Sequence, residues 1–120
     1  MKLIHDCVRD VMLNIENNLK DNSILQTTSI QKDNDKYSIE DINYTCKKLA
    51  EANYITIEQY IGGEIIVCSM TFAGHQFLDN IRDNKIWKQT KKEAAQISGI
   101  SLPILQQLAQ SIILKALGLN

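Results

Sequence analysis

Few side chains in this 120-residue chain stand at spacings that could do chemistry. Cys7, Cys46 and Cys68 are scattered, odd in number and form no Cys-x-x-Cys pair, which reads as free thiols on core faces in a reducing cytoplasm. His5 has no ligand partner at helical spacing, and His75 reads as a packed or partly exposed histidine. Asp33 and Asp35 have the spacing of a calcium loop, but no Gly follows and no Glu closes it. No nucleophile–base pair, carboxylate pair or metal set converges, so the expectation is no enzyme, no cofactor and no metal. Contact chemistry remains. Asn43, Tyr44, Lys47 and Lys48 stand together on one predicted helix, where amide and phenol groups can reach base edges and ammonium groups can meet phosphates. Lys85, Lys88 and Lys92 share one face of another. Leu114 and Leu117 lie outside the centre of a C-terminal apolar stripe and are the candidate oligomer interface.

The helix that carries the first set is predicted over residues 38–53. Ser38 can cap it, Glu40 and Asp41 fall in its first turn, and Lys47 and Lys48 follow, the order the helix dipole prefers. Ile39, Ile42, Cys46, Leu49 and Asn53 recur at spacings of three and four on one side. Residues 54–70 read as a tight β-hairpin turned by Gly62-Gly63. A two-residue turn there sets Gln59 against Ile66, Ile57 against Cys68 and Ile55 against Met70. Ile55, Ile57, Ile66, Cys68 and Met70 then share the core face, and Glu58, Tyr60, Ile65 and Val67 face outward. A helix feeding a two-stranded wing is the core of a winged helix-turn-helix domain.

The remaining elements frame that core. Residues 3–20 read as an amphipathic helix with Ile4, Val8, Val11 and Ile15 in its stripe. Residues 21–36 are polar; Ser29-Ile30-Gln31 reads as a short strand pairing with the hairpin, and residues 32–36 as a turn. After the hairpin, Thr71 caps a helix over 72–82 with Phe72, His75, Leu78 and Ile81 along one side. Gly74 inside that helix predicts close packing, because it costs about 1 kcal/mol relative to Ala. Residues 84–98 form a helix with Ile86, Trp87, Thr90, Ala94 and Ile97 inward, ended by Gly99. The last helix runs over 101–117, with Ser101 as cap and Pro103 in its first turn. The fold class is therefore α+β and mostly helical: a winged core over 1–83 and a helical extension over 84–120, packed as one domain.

Composition narrows the function classes. A hydrophobic share of 44% and a charged share of 22% are those of an ordinary globular chain, and −1 formal charge gives no global attraction to nucleic acid or acidic membrane. No apolar run approaches the ~20 residues of a membrane span, and no signal pattern opens the chain, so a cytoplasmic protein is expected.

Three blocks resemble a known family. They are Asp6-x-x-Arg9-x-x-x-Leu13-x-Ile15-Glu16, then Tyr37-Ser38-x-Glu40-x-Ile42 leading to Leu49-x-Glu51-Ala52-x-Tyr54-Ile55, then Thr71-x-x-Gly74-His75-x-Phe77-Leu78-x-x-Ile81-Arg82-Asp83 with Trp87 and Lys91. They are similar to a family of small uncharacterised bacterial and phage proteins, a domain of unknown function with a winged-helix-like fold. The resemblance implies that fold and a mobile-element setting, and it brings no activity or catalytic residue.

Two functions follow as expectations. By analogy with the fold, the chain is a transcriptional regulator that binds double-stranded DNA, with 38–53 as recognition helix in the major groove. Against this, that helix sets Glu40, Asp41 and Glu51 against two lysines, the wing tip carries Glu64 and no cation, and the short preceding helix is missing or reduced because residues 35–37 lead directly into Ser38. The lysine face of 84–98 is the better electrostatic candidate, since five of the thirteen basic residues lie between Arg82 and Lys92. The alternative is a protein-interaction or dimerisation module without DNA binding, using the C-terminal helix and Tyr60 and Ile65 on the wing. In that case the partner is another protein or a second copy.

Overall fold

The structure, a computed structural model, describes residues 1–119. Among them the architecture is α+β and mostly helical, in the order α1 (His5–Asn18), β1 (Leu25–Gln26), α2 (Thr27–Asp33), α3 (Ile39–Glu51), β2 (Ile55–Gln59), β3 (Ile65–Met70), α4 (Phe72–Ile81), α5 (Asn84–Ala94) and α6 (Leu102–Ala116). The strands form one antiparallel sheet in the order β1-β3-β2. The chain divides into two compact units, Met1–His75 and Gln76–Asn120, and the division falls inside α4. The seam expected at Asp83–Asn84 lies downstream, at the α4–α5 junction.

In the first unit α1 buries Cys7, Val8, Val11, Met12 and Ile15, and α3 buries Ile42, Cys46 and Leu49. The two helices pack on each other, on α2 and on the sheet. Ser38 caps α3 as expected, its Oγ accepting from Asp41 N–H at 3.1 Å. Asp10 on α1 ties down the turn before α3: its carboxylate accepts from the Tyr37 hydroxyl at 2.7 Å and lies 3.2 Å from Lys36 Nζ.

Residues 21–36 differ from expectation. Ser29-Ile30-Gln31 is part of helix α2, and the strand that joins the hairpin is Leu25–Gln26, just upstream. Thr27, Thr28 and Ile30 are residue types that suit a strand. Burial decides otherwise: Thr27 and Ile30 are both buried, three residues apart, which is helical spacing. The Thr27 hydroxyl also donates to Ile65 C=O at 3.3 Å. A short helix of 7 residues therefore precedes α3: of the two expected alternatives, a missing or a reduced helix, it is the reduced one.

The hairpin is correct in kind and shifted in register. Its tip is a three-residue loop, Ile61-Gly62-Gly63, closed by Tyr60 N–H to Glu64 C=O at 2.9 Å and Gly63 N–H to Tyr60 C=O at 3.1 Å. Gly62 (φ +100°) and Gly63 (φ +89°) supply the positive φ the tip requires. Gln59 consequently pairs with Ile65 and Ile57 with Val67; a bulge beyond Thr56 restores the expected pairing of Ile55 with Met70. The slip moves Ile65 and Val67, expected outward, into the core, and leaves Cys68 and Met70 partly exposed.

Thr71 opens α4, its Oγ1 accepting from Gly74 N–H at 3.0 Å and donating to Asn53 C=O at 2.6 Å. A Cβ on Gly74 would lie 2.9 Å from the Tyr54 carbonyl carbon and closer still to its oxygen, so the close approach predicted from the glycine is present. The buried stripe of α4 is Phe77, Leu78 and Ile81; Phe72 is 77% exposed and His75 is exposed too, a correction to the expected stripe.

In the second unit α5 and α6 pack together. Trp87, Thr90 and Ala94 are buried on α5, and Leu102, Leu105 and Ala109 on α6. Helix α5 stops at Ala94, before the expected 98, so Ile97 lies beyond its inward stripe and is 62% exposed. Ser101 has N-cap geometry without a side-chain cap bond. Gly118 (φ +70°) closes α6, with Leu119 N–H donating to Leu114 C=O at 2.8 Å.

Candidate functional site

The outward face of α3 holds four of the expected contact residues. Lys47 is exposed and Asn43, Tyr44 and Lys48 are half-buried. Lys48 is already engaged: its Nζ lies 3.1 Å from Glu51 Oε2 and 5.4 Å from the centre of the Tyr44 ring. The hydrogen bond to Glu51 pushes the Lys48 pKa up. The Tyr44 hydroxyl points to Met1 C=O at 3.4 Å. Asn43 Oδ1 is buried with no partner among the described residues. Sequence reasoning sets Glu51 on the same face as Lys48 without pairing the two, although their three-residue spacing is a signal.

The hairpin beside α3 is acidic. Glu58 accepts from the Tyr60 hydroxyl at 2.6 Å, and Glu64 accepts from Gln26 Nε2 at 3.1 Å, which fastens the tip to β1. No Lys or Arg occurs from residue 49 to residue 81. Tyr60 and Ile61 stand exposed at the tip.

In the second unit Asp83 caps α5, accepting from Lys85 and Ile86 N–H at 2.9 and 3.0 Å. Lys85, Lys88 and Lys92 are exposed along α5, as expected, while Lys91 Nζ sits 6.0 Å from the Trp87 ring centre. Leu114 and Leu117 are 43% and 65% exposed. Leu117 lines a groove of about 430 Å³ with Ile86, Ile113 and Ala116, which the sequence reading did not single out.

Chemically reactive groups are sparse. A shallow cleft of about 200 Å³ in the first unit is lined in part by Glu16, Cys68, Ser69 and His75. Burial pushes the Cys68 thiol above its ordinary value, the direction that disfavours the nucleophilic thiolate. Burial pushes the Cys46 thiol up to about 12. Among the described residues no three His, Cys, Asp or Glu side chains gather to hold a metal, and no helix is long and apolar enough to cross a membrane.

The fold and these surfaces define a small, mostly helical α+β protein with exposed charged and apolar faces. The family model described as "Hypothetical protein (DUF2513)" matches residues 2–101, and the chain belongs to that family. It is also similar to an "Uncharacterized protein" of Haemophilus influenzae, 27% identical over 117 residues, an alignment that covers 94% of this chain and 96% of that protein. The expected membership of a domain-of-unknown-function family is thereby met, with a bacterial relative.

Proposed function

We propose that the chain is a non-enzymatic winged-helix protein of bacterial or phage origin, and that the outward face of α3 meets a protein partner. The fold assignment is supported by the element order α1-β1-α2-α3-β2-β3 and the sheet order β1-β3-β2. In it α2 and α3 are the helix-turn-helix and β2–β3 the wing. The charge of this surface carries the choice of partner. Glu40, Asp41 and Glu51 outnumber Lys47 and Lys48, Lys48 is tied to Glu51, and the wing adds Glu58 and Glu64 with no cation. Neutralised phosphates supply most non-specific DNA affinity, and this face has one uncommitted lysine to offer.

The test is a fluorescence-anisotropy titration of random and encoded-locus duplexes at two salt concentrations. No saturable binding to about 100 µM is expected even at low salt, well weaker than ordinary non-specific binders. Micromolar binding overturns this reading in favour of a second, a DNA-binding regulator, which the exposed Lys85, Lys88 and Lys92 favour. Charge reversal at Lys88 and Lys92 would then lower the log–log salt slope by about 0.9 per lost phosphate contact, and changes at Asn43 and Tyr44 would alter sequence preference.

A further inference from the structure

The two units carry opposite charge. Residues 1–75 hold 7 Lys and Arg against 11 Asp and Glu, a formal −4; residues 76–120 hold 6 against 3, a formal +3, and the two give the chain's −1. Each unit also exposes apolar groups, the first at a turn and the second in a groove. At the hairpin tip Tyr60 is 48% exposed and Ile61 fully exposed, and Glu58 and Glu64 flank them. In the second unit the α5–α6 groove, about 430 Å³, has an apolar floor of Ile86, Ile113, Ala116 and Leu117. That volume is within the range of pockets that enclose small ligands. Asp83 at its rim is occupied in capping α5, so Lys85 is the rim charge left to meet a partner, and Lys88 follows one turn along α5.

We infer that the hairpin tip of one copy seats in the α5–α6 groove of a second copy. Ile61 and Tyr60 enter the apolar floor, and the exposed carboxylates of Glu58 and Glu64, each with one oxygen bonded to Tyr60 or Gln26, turn their second oxygens to Lys85 and Lys88. The occupant is a second copy because the chain itself presents the matching plug: a protruding apolar turn, acid-flanked, in a stretch without cations. Reciprocal exchange closes a dimer, whereas one-way exchange builds chains. The inference holds whether α3 meets protein or DNA.

Sedimentation velocity from about 1 to 200 µM reads it, at low and high salt. Association should weaken as salt rises, because the attraction between the charged rims is screened. Lys85→Glu with Lys88→Glu, and separately Glu58→Lys with Glu64→Lys, should each weaken self-association at least tenfold with the helical circular-dichroism signal intact. Mixing the two variants pairs opposite charges at both contacts and should restore association. Ile61→Ser, at a fully exposed position, should weaken it at any salt and does not depend on the charge variants folding. A wild-type monomer at 200 µM in low salt overturns the inference. So does a mixture of folded variants that stays monomeric, or an Ile61→Ser protein that associates like wild type.

Discussion

Replacing Gly74 by Ala tests the packing of the first unit at its tightest point. Taken alone, the change should help, since Ala is favoured over Gly inside a helix by up to about 1 kcal/mol. The new Cβ would, however, press into the Tyr54 carbonyl, 2.9 Å from its carbon, and lie 3.0 Å from Met70 Cγ. Met70 has a flexible side chain and can turn aside. Tyr54 cannot, because the blocking atoms are backbone held on both sides: its N–H donates to Leu49 C=O at 2.9 Å and its C=O accepts from Thr71 N–H at 3.0 Å. Overpacking against a fixed neighbour costs about 1–3 kcal/mol, and backbone places this case at the upper end. The net loss is about 2 kcal/mol, which lowers Tm by roughly 6–12 °C in a chain of this size. Thermal unfolding followed by circular dichroism measures it. Gly99→Ala is the control, since a Cβ there meets nothing within 4 Å and should stay within about 0.5 kcal/mol of wild type. A Gly74→Ala protein that melts at or above the wild-type temperature would refute the reasoning.

Three further outcomes are expected. Gly62→Val with Gly63→Val forces two L side chains into positive φ, at about 1–2 kcal/mol each, and should lower Tm by several degrees; an unchanged Tm would contradict the tip geometry. Burial, then the hydrogen bond to Asp10, pushes the Tyr37 phenol well above its ordinary value, so the folded state keeps a proton that the unfolded state releases near pH ~10. That stabilisation is complete below pH ~10 and fades above it. Tyr37→Phe should lose about 1–2 kcal/mol at neutral pH and decline less steeply in alkali, and equal alkaline decline in both proteins would argue against it. With the Cys46 thiol pushed up to about 12 and Cys7 also buried, a thiol reagent at pH 8 should label Cys68 first and the other two only on unfolding. Rapid labelling of all three in the native state would contradict the burial.

Local rules made α3 and α4 legible in the sequence. Ser38 and Thr71 cap them through contacts three residues away, and Gly74 signalled a close approach that the backbone of Tyr54 makes. Tertiary effects hid the rest. The residue types of Thr27–Ile30 suit a strand, yet burial of Thr27 and Ile30 against the unit's core makes them helical. Two adjacent glycines suggested a two-residue turn, and neither the third loop residue nor the bulge beyond Thr56 has a local signature. That one-residue slip is what put Ile65 and Val67 on the wrong face. Among the site residues, exposure of the α5 lysines followed from helical spacing. The engagement of Lys48 by Glu51 and Tyr44 depends on which partners side chains select once the helix has formed.

As proposed, α3 faces a protein and not DNA. The most direct measurement is an amide nitrogen–proton correlation spectrum of isotope-labelled protein, recorded at low salt while a random-sequence duplex is added. The amides of α3 and of the hairpin tip are expected to stay in place throughout. Saturable shifts at residues 43–48, with the wing following at the same duplex concentration, would contradict it.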